Sequence, residues 1–147
     1  MDGAKQRGAV VVTSVPDGRL TQRIEAGPHV LFADEPPDAG DDRGPTPYEL
    51  LLAALGACTS MTLRMYADMK KLPLDSVSIR LTYERTHVKD CEEDVETAIR
   101  RMHRIEREVH LEGDLSDEQR QRLLEIAERC PVHRSLTEAK EIVTSLV

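Results

Sequence analysis

The stretch GPTPYELLLAALGACTSMTLRMYADMKKLP, residues 44–73, constrains the fold more than any other. It opens with a helix start: Thr46 suits the N-cap, Pro47 the first helical position, and Glu49 stands at the capping-box spacing from Thr46. The helix is expected to run to about Lys71, where the proline of Lys-Leu-Pro-Leu ends it. Leu51, Ala54, Leu55, Met61, Thr62 and Met65 lie at three- and four-residue spacings from Cys58. That stripe predicts a Cys58 facing the core. Ala53, Ala54, Gly56 and Ala57 are small, and a glycine inside a helix costs roughly 1 kcal/mol. Gly56 therefore calls for a packing reason, such as a close helix–helix crossing.

The flanking segments read mostly as strands. Ala9–Val15 is β-branched and ends at a Pro-Asp-Gly turn. Arg19–Ala26 sets Leu20 and Ile24 against Arg19, Thr21, Arg23 and Glu25, the alternation of a half-exposed strand. His29–Pro36 gives a third, and the connections are too short for crossovers, so an antiparallel meander is expected. After Pro73, Val77, Ile79, Leu81 and Tyr83 alternate, and Ile105, Arg107, Val109 and Leu111 do so again. Ser116 and Gln119 mark the start of a second helix through Cys130. Residues 131–136 read as a short turn or helix and residues 139–147 as a closing strand. The order β-β-β-α-β-β-α-β predicts a single α+β domain over residues 1–147, with mostly antiparallel sheets around two main helices.

The net charge of −7 argues against nucleic acid or an anionic membrane as the main partner. No secretory signal pattern is visible at the start, and no apolar run approaches the ~18 residues of a membrane span. A cytoplasmic location follows as the expectation. Three cysteines in such a setting point to free or redox-active thiols rather than a structural disulfide framework.

The residues alone leave the role of each cysteine open. A buried Cys58 is either a small hydrophobe or a reactive thiol that needs a nearby cation, because burial raises a thiol pKa. Cys130 has Arg129, His133 and Arg134 around it in sequence, a better setting for a thiolate. Cys91 stands among acidic residues, which disfavour its thiolate. A zinc site from His87, Cys91, Cys130 and His133 is a weak pattern, since no CxxC pair is present. No metal or cofactor is expected.

GPTPYELLLAALGACTSMTLRMYA followed by LLEIAERCPVHRSL, with ADEP earlier in the chain, resembles the OsmC/Ohr family of osmotically inducible and organic hydroperoxide resistance proteins. The resemblance covers nearly the whole chain. It implies an OsmC-like fold assembled as an intertwined homodimer with active sites at the subunit interface. It also implies thiol peroxidase chemistry on an organic hydroperoxide. Cys58 matches the peroxidatic cysteine and Cys130 the resolving one, with a lipoyl-type or other small dithiol as the reductant. Glu49 matches a glutamate that organises a catalytic arginine, for which Arg19, Arg23 and Arg43 are the options; Arg19 and Arg23 share a strand face. Glu49 and Cys58 are nine residues apart, which puts them on opposite sides of a straight helix. Glu49 then acts across a dimer, through an arginine, or only as a capping residue. A non-catalytic protein binding a small apolar ligand in an interface pocket is the alternative, as is an accessory protein that kept the fold and lost the chemistry.

Overall fold

The computed structural model describes residues 8–84 and 103–147. They form five strands and three helices: β1 (Val10–Ser14), β2 (Gln22–Ala26), β3 (His29–Ala33), α1 (Pro47–Lys70), β4 (Ser76–Glu84), β5 (Arg104–Glu112), α2 (Asp117–Ala127) and α3 (Pro131–Thr137). The chain divides into two compact units, Met1–Leu51 and Leu52–Val147. Helix α1 starts in the first unit and runs through the second.

In the first unit β1, β2 and β3 form the expected antiparallel meander, in which Val12 pairs with Ile24 and Ile24 with Leu31. Gly27 makes the β2–β3 turn with a φ of 60°, in the left-handed region where a side chain is disfavoured. After β3 the chain folds around Asp34. This carboxylate is buried and accepts hydrogen bonds from Thr21 Oγ1 (2.6 Å) and from the backbone N–H groups of Glu35 (2.8 Å), Asp41 (3.3 Å) and Arg43 (3.3 Å). These donors, Thr21 first, hold its carboxyl at about 2. At the start of α1 the Thr46–Glu49 capping box forms in both directions: Thr46 N–H donates to Glu49 Oε2 and Glu49 N–H to Thr46 Oγ1.

In the second unit Leu63 and Ala67 of α1 pack with Leu74, Leu115, and Leu123, Ile126 and Ala127 of α2. The two-stranded β4–β5 sheet lays Val77, Ile79, Val109 and Leu111 against this core. Burial along β5 alternates strictly, with Ile105, Arg107, Val109 and Leu111 turned inward. Gly56 faces the sheet: a Cβ there would press on Leu81 Cδ1 at 2.8 Å. Its packing reason is thus a strand against the helix, in place of the expected helix–helix crossing. Helix α2 carries the predicted Ser116–Gln119 capping box.

Three expectations are corrected. The described residues contain three helices, not two, and two separate antiparallel sheets; Pro131, at the first helical position, starts α3 as a helix of its own. The closing strand is absent: residues 139–147 have no regular structure, and Ile142, Val143 and Leu146 are exposed, because the segment pairs with no sheet edge. The buried stripe of α1 is also turned from the expected one. It comprises Leu55, Gly56, Thr59, Leu63 and Ala67, while Met61, Met65 and Met69 are exposed. By length and composition α1 could cross a membrane, though its buried stripe serves the protein core.

Candidate active site

The second unit brings together the two cysteines that the sequence singled out. Cys58 lies in the fourth turn of α1, at the margin of the buried stripe, and is half-buried. Cys130 follows α2, caps α3, and is fully buried. Their thiols are within hydrogen-bonding reach of one another. Both are free thiols.

The two sulfurs have unlike surroundings. Burial pushes the Cys58 thiol up, and its bond to Cys130 adds to this; the Val132 N–H and the Thr62 hydroxyl oppose without prevailing. Burial also works against a Cys130 thiolate. There, however, the Cys58 thiol, the His133 N–H, the Thr59 hydroxyl and the Val132 N–H outweigh it and hold Cys130 below the usual thiol value. Cys130 is the N-cap of α3, so the N–H groups at the start of that helix are the ones that favour its thiolate.

An arginine that the sequence reading passed over stands behind the pair. Arg107 on β5 donates through Nη1 to Thr59 Oγ1 (2.9 Å) and through Nη2 to Glu128 Oε1 (3.3 Å), with His133 Nδ1 also 3.3 Å from Nη2. Its side chain is only 10% exposed. Arginine has no acceptor, so His133 Nδ1 must accept from it and the His133 proton sits on Nε2. That nitrogen faces Glu128 Oε2 at 3.4 Å. Thr59 Oγ1 donates in turn to Leu55 O at 2.7 Å. The signal was there in the alternation of β5: Arg107 is the one charged residue on the face shared with Ile105, Val109 and Leu111. A cavity of about 360 Å³ opens beside this arginine, lined by Leu55, Ile105 and Leu136 on its apolar side and by Arg107, Glu128 and His133 on its polar side.

The other sequence candidates lie in the first unit, each with partners of its own. Arg19 donates through Nη1 to Pro37 O (3.3 Å) and Gly40 O (3.1 Å), and its backbone N–H donates to Asp41. Arg23 pairs with Glu25 at 2.8 Å and Arg43 with Asp17 at 3.3 Å. Glu49 serves the capping box. His87 and Cys91 of the considered zinc set lie outside the described residues, and among the described residues no cluster of metal-ligating side chains occurs.

The sequence profile of the OsmC family, described as OsmC-like protein, matches residues 40–145. The chain belongs to the OsmC family. A search of curated proteins finds no match. Among solved structures the fold is similar to an OsmC-like protein from Mycoplasma pneumoniae, with a TM-score of 0.69 and 18% identity over 87% of this chain and 85% of that one. It is also similar to an organic hydroperoxide resistance protein from Legionella pneumophila (TM-score 0.61, 17% identity, 88% and 89% covered). The organic hydroperoxide resistance protein OhrB of Bacillus subtilis is a third (TM-score 0.57, 20% identity, 88% and 89% covered). At these identities the likeness is one of fold. Family membership together with the adjacent cysteine pair fits a redox-active site.

Proposed function

We propose that this OsmC-family protein is a thiol peroxidase that reduces organic hydroperoxides through Cys58 and Cys130. The observation that carries the reading is the contact between the two thiols, one half-buried and one fully buried. Cys58, the more accessible, attacks the distal oxygen of ROOH as the thiolate. ROH leaves, and Cys58 becomes a sulfenic acid. Cys130, the better-stabilised thiolate, attacks the Cys58 sulfur; the S–O bond breaks, the oxygen departs as water, and a disulfide forms. A dithiol, of lipoyl type by analogy with the family, returns both cysteines to thiols.

The raised Cys58 thiol needs a cation at the moment of attack. Arg19 is the stronger of the two proposed arginines, because its guanidinium bonds the main-chain carbonyls of Pro37 and Gly40, whereas that of Arg23 is paired with the Glu25 carboxylate. Glu49 would organise that arginine beside its capping role. The active form would be a homodimer in the cytoplasm: the exposed Met61, Met65 and Met69 give α1 an apolar row for a second copy to cover.

Thiol loss after one equivalent of cumene hydroperoxide, set against hydrogen peroxide, tests the reading. Wild type should lose two thiols per chain rapidly with the organic peroxide. Cys58→Ser should be inert, and Cys130→Ser should stop at the sulfenic acid. Equal, slow loss in all three proteins would defeat it. The cavity beside Arg107 favours a second reading, non-catalytic binding of a small ligand, since neither cysteine lines it. Saturable binding of an apolar ligand, with thiols inert to peroxide, would establish that reading instead.

A further inference from the structure

We infer that the Cys58–Cys130 disulfide is reduced in one direction: the incoming thiolate bonds to Cys58, and Cys130 leaves onto a Thr59 hydroxyl that Arg107 polarises. The inference rests on the proposed redox cycle and concerns its reductive half. Access supplies the first argument. Cys58 is half-buried and Cys130 is 0% exposed, so a thiol arriving from solvent meets the Cys58 sulfur first.

The second argument is the fate of the charge. Thr59 has one hydroxyl hydrogen, now given to Leu55 O, while its oxygen accepts from Arg107 Nη1. Rotation of that hydroxyl turns the hydrogen onto Cys130 Sγ and leaves the Arg107 donation intact. The developing thiolate then gains a charge-assisted hydrogen bond backed by a nearly buried guanidinium. Glu128 and His133 fix the guanidinium from the other side, and Glu128 stays largely in water, which screens its negative charge. Burial and Cys130 itself hold the Cys58 thiol up, so its thiolate is the less stabilised of the two. Thiol–disulfide exchange is faster when the departing thiol is the stronger acid.

The step balances with a dithiol as reductant. One of its thiolates attacks Cys58 Sγ, the Cys58–Cys130 bond breaks, and Cys130 takes the electron pair. The second thiolate then attacks the mixed disulfide at the reductant's own sulfur. Cys58 departs as a thiol with a proton from solvent, and the reductant leaves as a cyclic disulfide. Arg107 is a positioning residue here, acting through Thr59.

The test starts from protein oxidised with diamide, which makes the disulfide without any peroxide. A brief pulse of 2-mercaptoethanol, a monothiol that cannot complete the cycle, is quenched in acid with a maleimide, and the peptides are mapped by mass. The expected result is mercaptoethanol on Cys58 and maleimide on Cys130. Equal or opposite labelling overturns the inference. Arg107→Met and Thr59→Val should each slow reduction by dithiothreitol about tenfold, with Arg107→Lys recovering part of the rate. In a Cys58→Ser background, Arg107→Met should also move the Cys130 thiolate absorbance to higher pH, which a purely structural role would not do. Wild-type rates in folded Arg107→Met and Thr59→Val proteins would remove both residues from the step. A protein inert to peroxide that still labels at Cys58 defeats the peroxidase reading alone. One that turns over peroxide and labels at Cys130 defeats this inference alone. Failure of diamide to join the two cysteines overturns both.

Discussion

Asp34 and Cys130 are both buried side chains able to carry a negative charge, and donors surround each, but the two regions use them differently. At Asp34 a hydroxyl and three backbone N–H groups converge on an acid that is already strong. Its charge is permanent at any physiological pH and holds residues 34–43 in one shape. At Cys130 a hydroxyl and two backbone N–H groups act on a weak acid against the cost of burial. The thiolate is brought closer without being made permanent. Similar donors thus give a fixed strut in one place and a reversible charge in the other, and the intrinsic acidity of the acceptor decides which.

The largest effect is expected from the cation proposed for Cys58. Arg19→Ala should lower kcat/KM for cumene hydroperoxide by about a hundredfold, measured by coupled peroxide consumption; a rate within twofold of wild type would take Arg19 out of the chemistry.

At the fixed end, Asp34→Asn turns an acceptor-only group into one that also presents donors to the ring of N–H groups. Its melting temperature should fall by on the order of 10 °C, and Thr21→Val should lower it less. The acid limb sharpens the point. The folded Asp34 pKa of about 2 lies below the ordinary 3.8, so its stabilisation is complete above pH 3.8 and fades as the pH falls towards 2. The difference in stability between wild type and Asp34→Asn, followed by urea unfolding, should shrink through that window; a constant difference would mean that the charge itself contributes nothing.

The smallest effect is expected at Gly56. Alanine there gains helix propensity and pushes only on the end of the Leu81 side chain, so stability should move by less than about 1 kcal/mol. A larger loss would show that β4 needs this closeness to α1.

Much of this was legible in the sequence, because it rests on local rules. The capping boxes at Thr46 and Ser116 are spacings of three residues, and the meander follows from its short turns and alternation. Both cysteines were picked out by motif, and Cys130 was expected to be the better thiolate, though from charged neighbours rather than from the Thr59 hydroxyl and the N–H groups at the start of α3. What escaped was set by packing. The Leu55–Thr59–Leu63–Ala67 stripe of α1 is decided by where β4 and α2 press, and Met61 and Met65 are apolar enough to mimic it. The strand expected at residues 139–147 has the composition of one but lacks a neighbour to pair with. Arg107 was visible as a charge on an inward face, but its role needed Thr59 and His133 from two other elements.

The hydrogen bond from Arg107 to Thr59 joins residues 48 positions apart, whereas β2 and β3 meet across a turn at Gly27. Closing the longer span costs more chain entropy, and contacts of high sequence separation slow folding. The meander can therefore organise early, while the arginine reaches Thr59 only after β5 has docked on β4 and the helix. Until that long closure is made, Thr59 has no guanidinium donating to it. The guanidinium on Thr59 is thus a product of the finished tertiary structure and of no local segment.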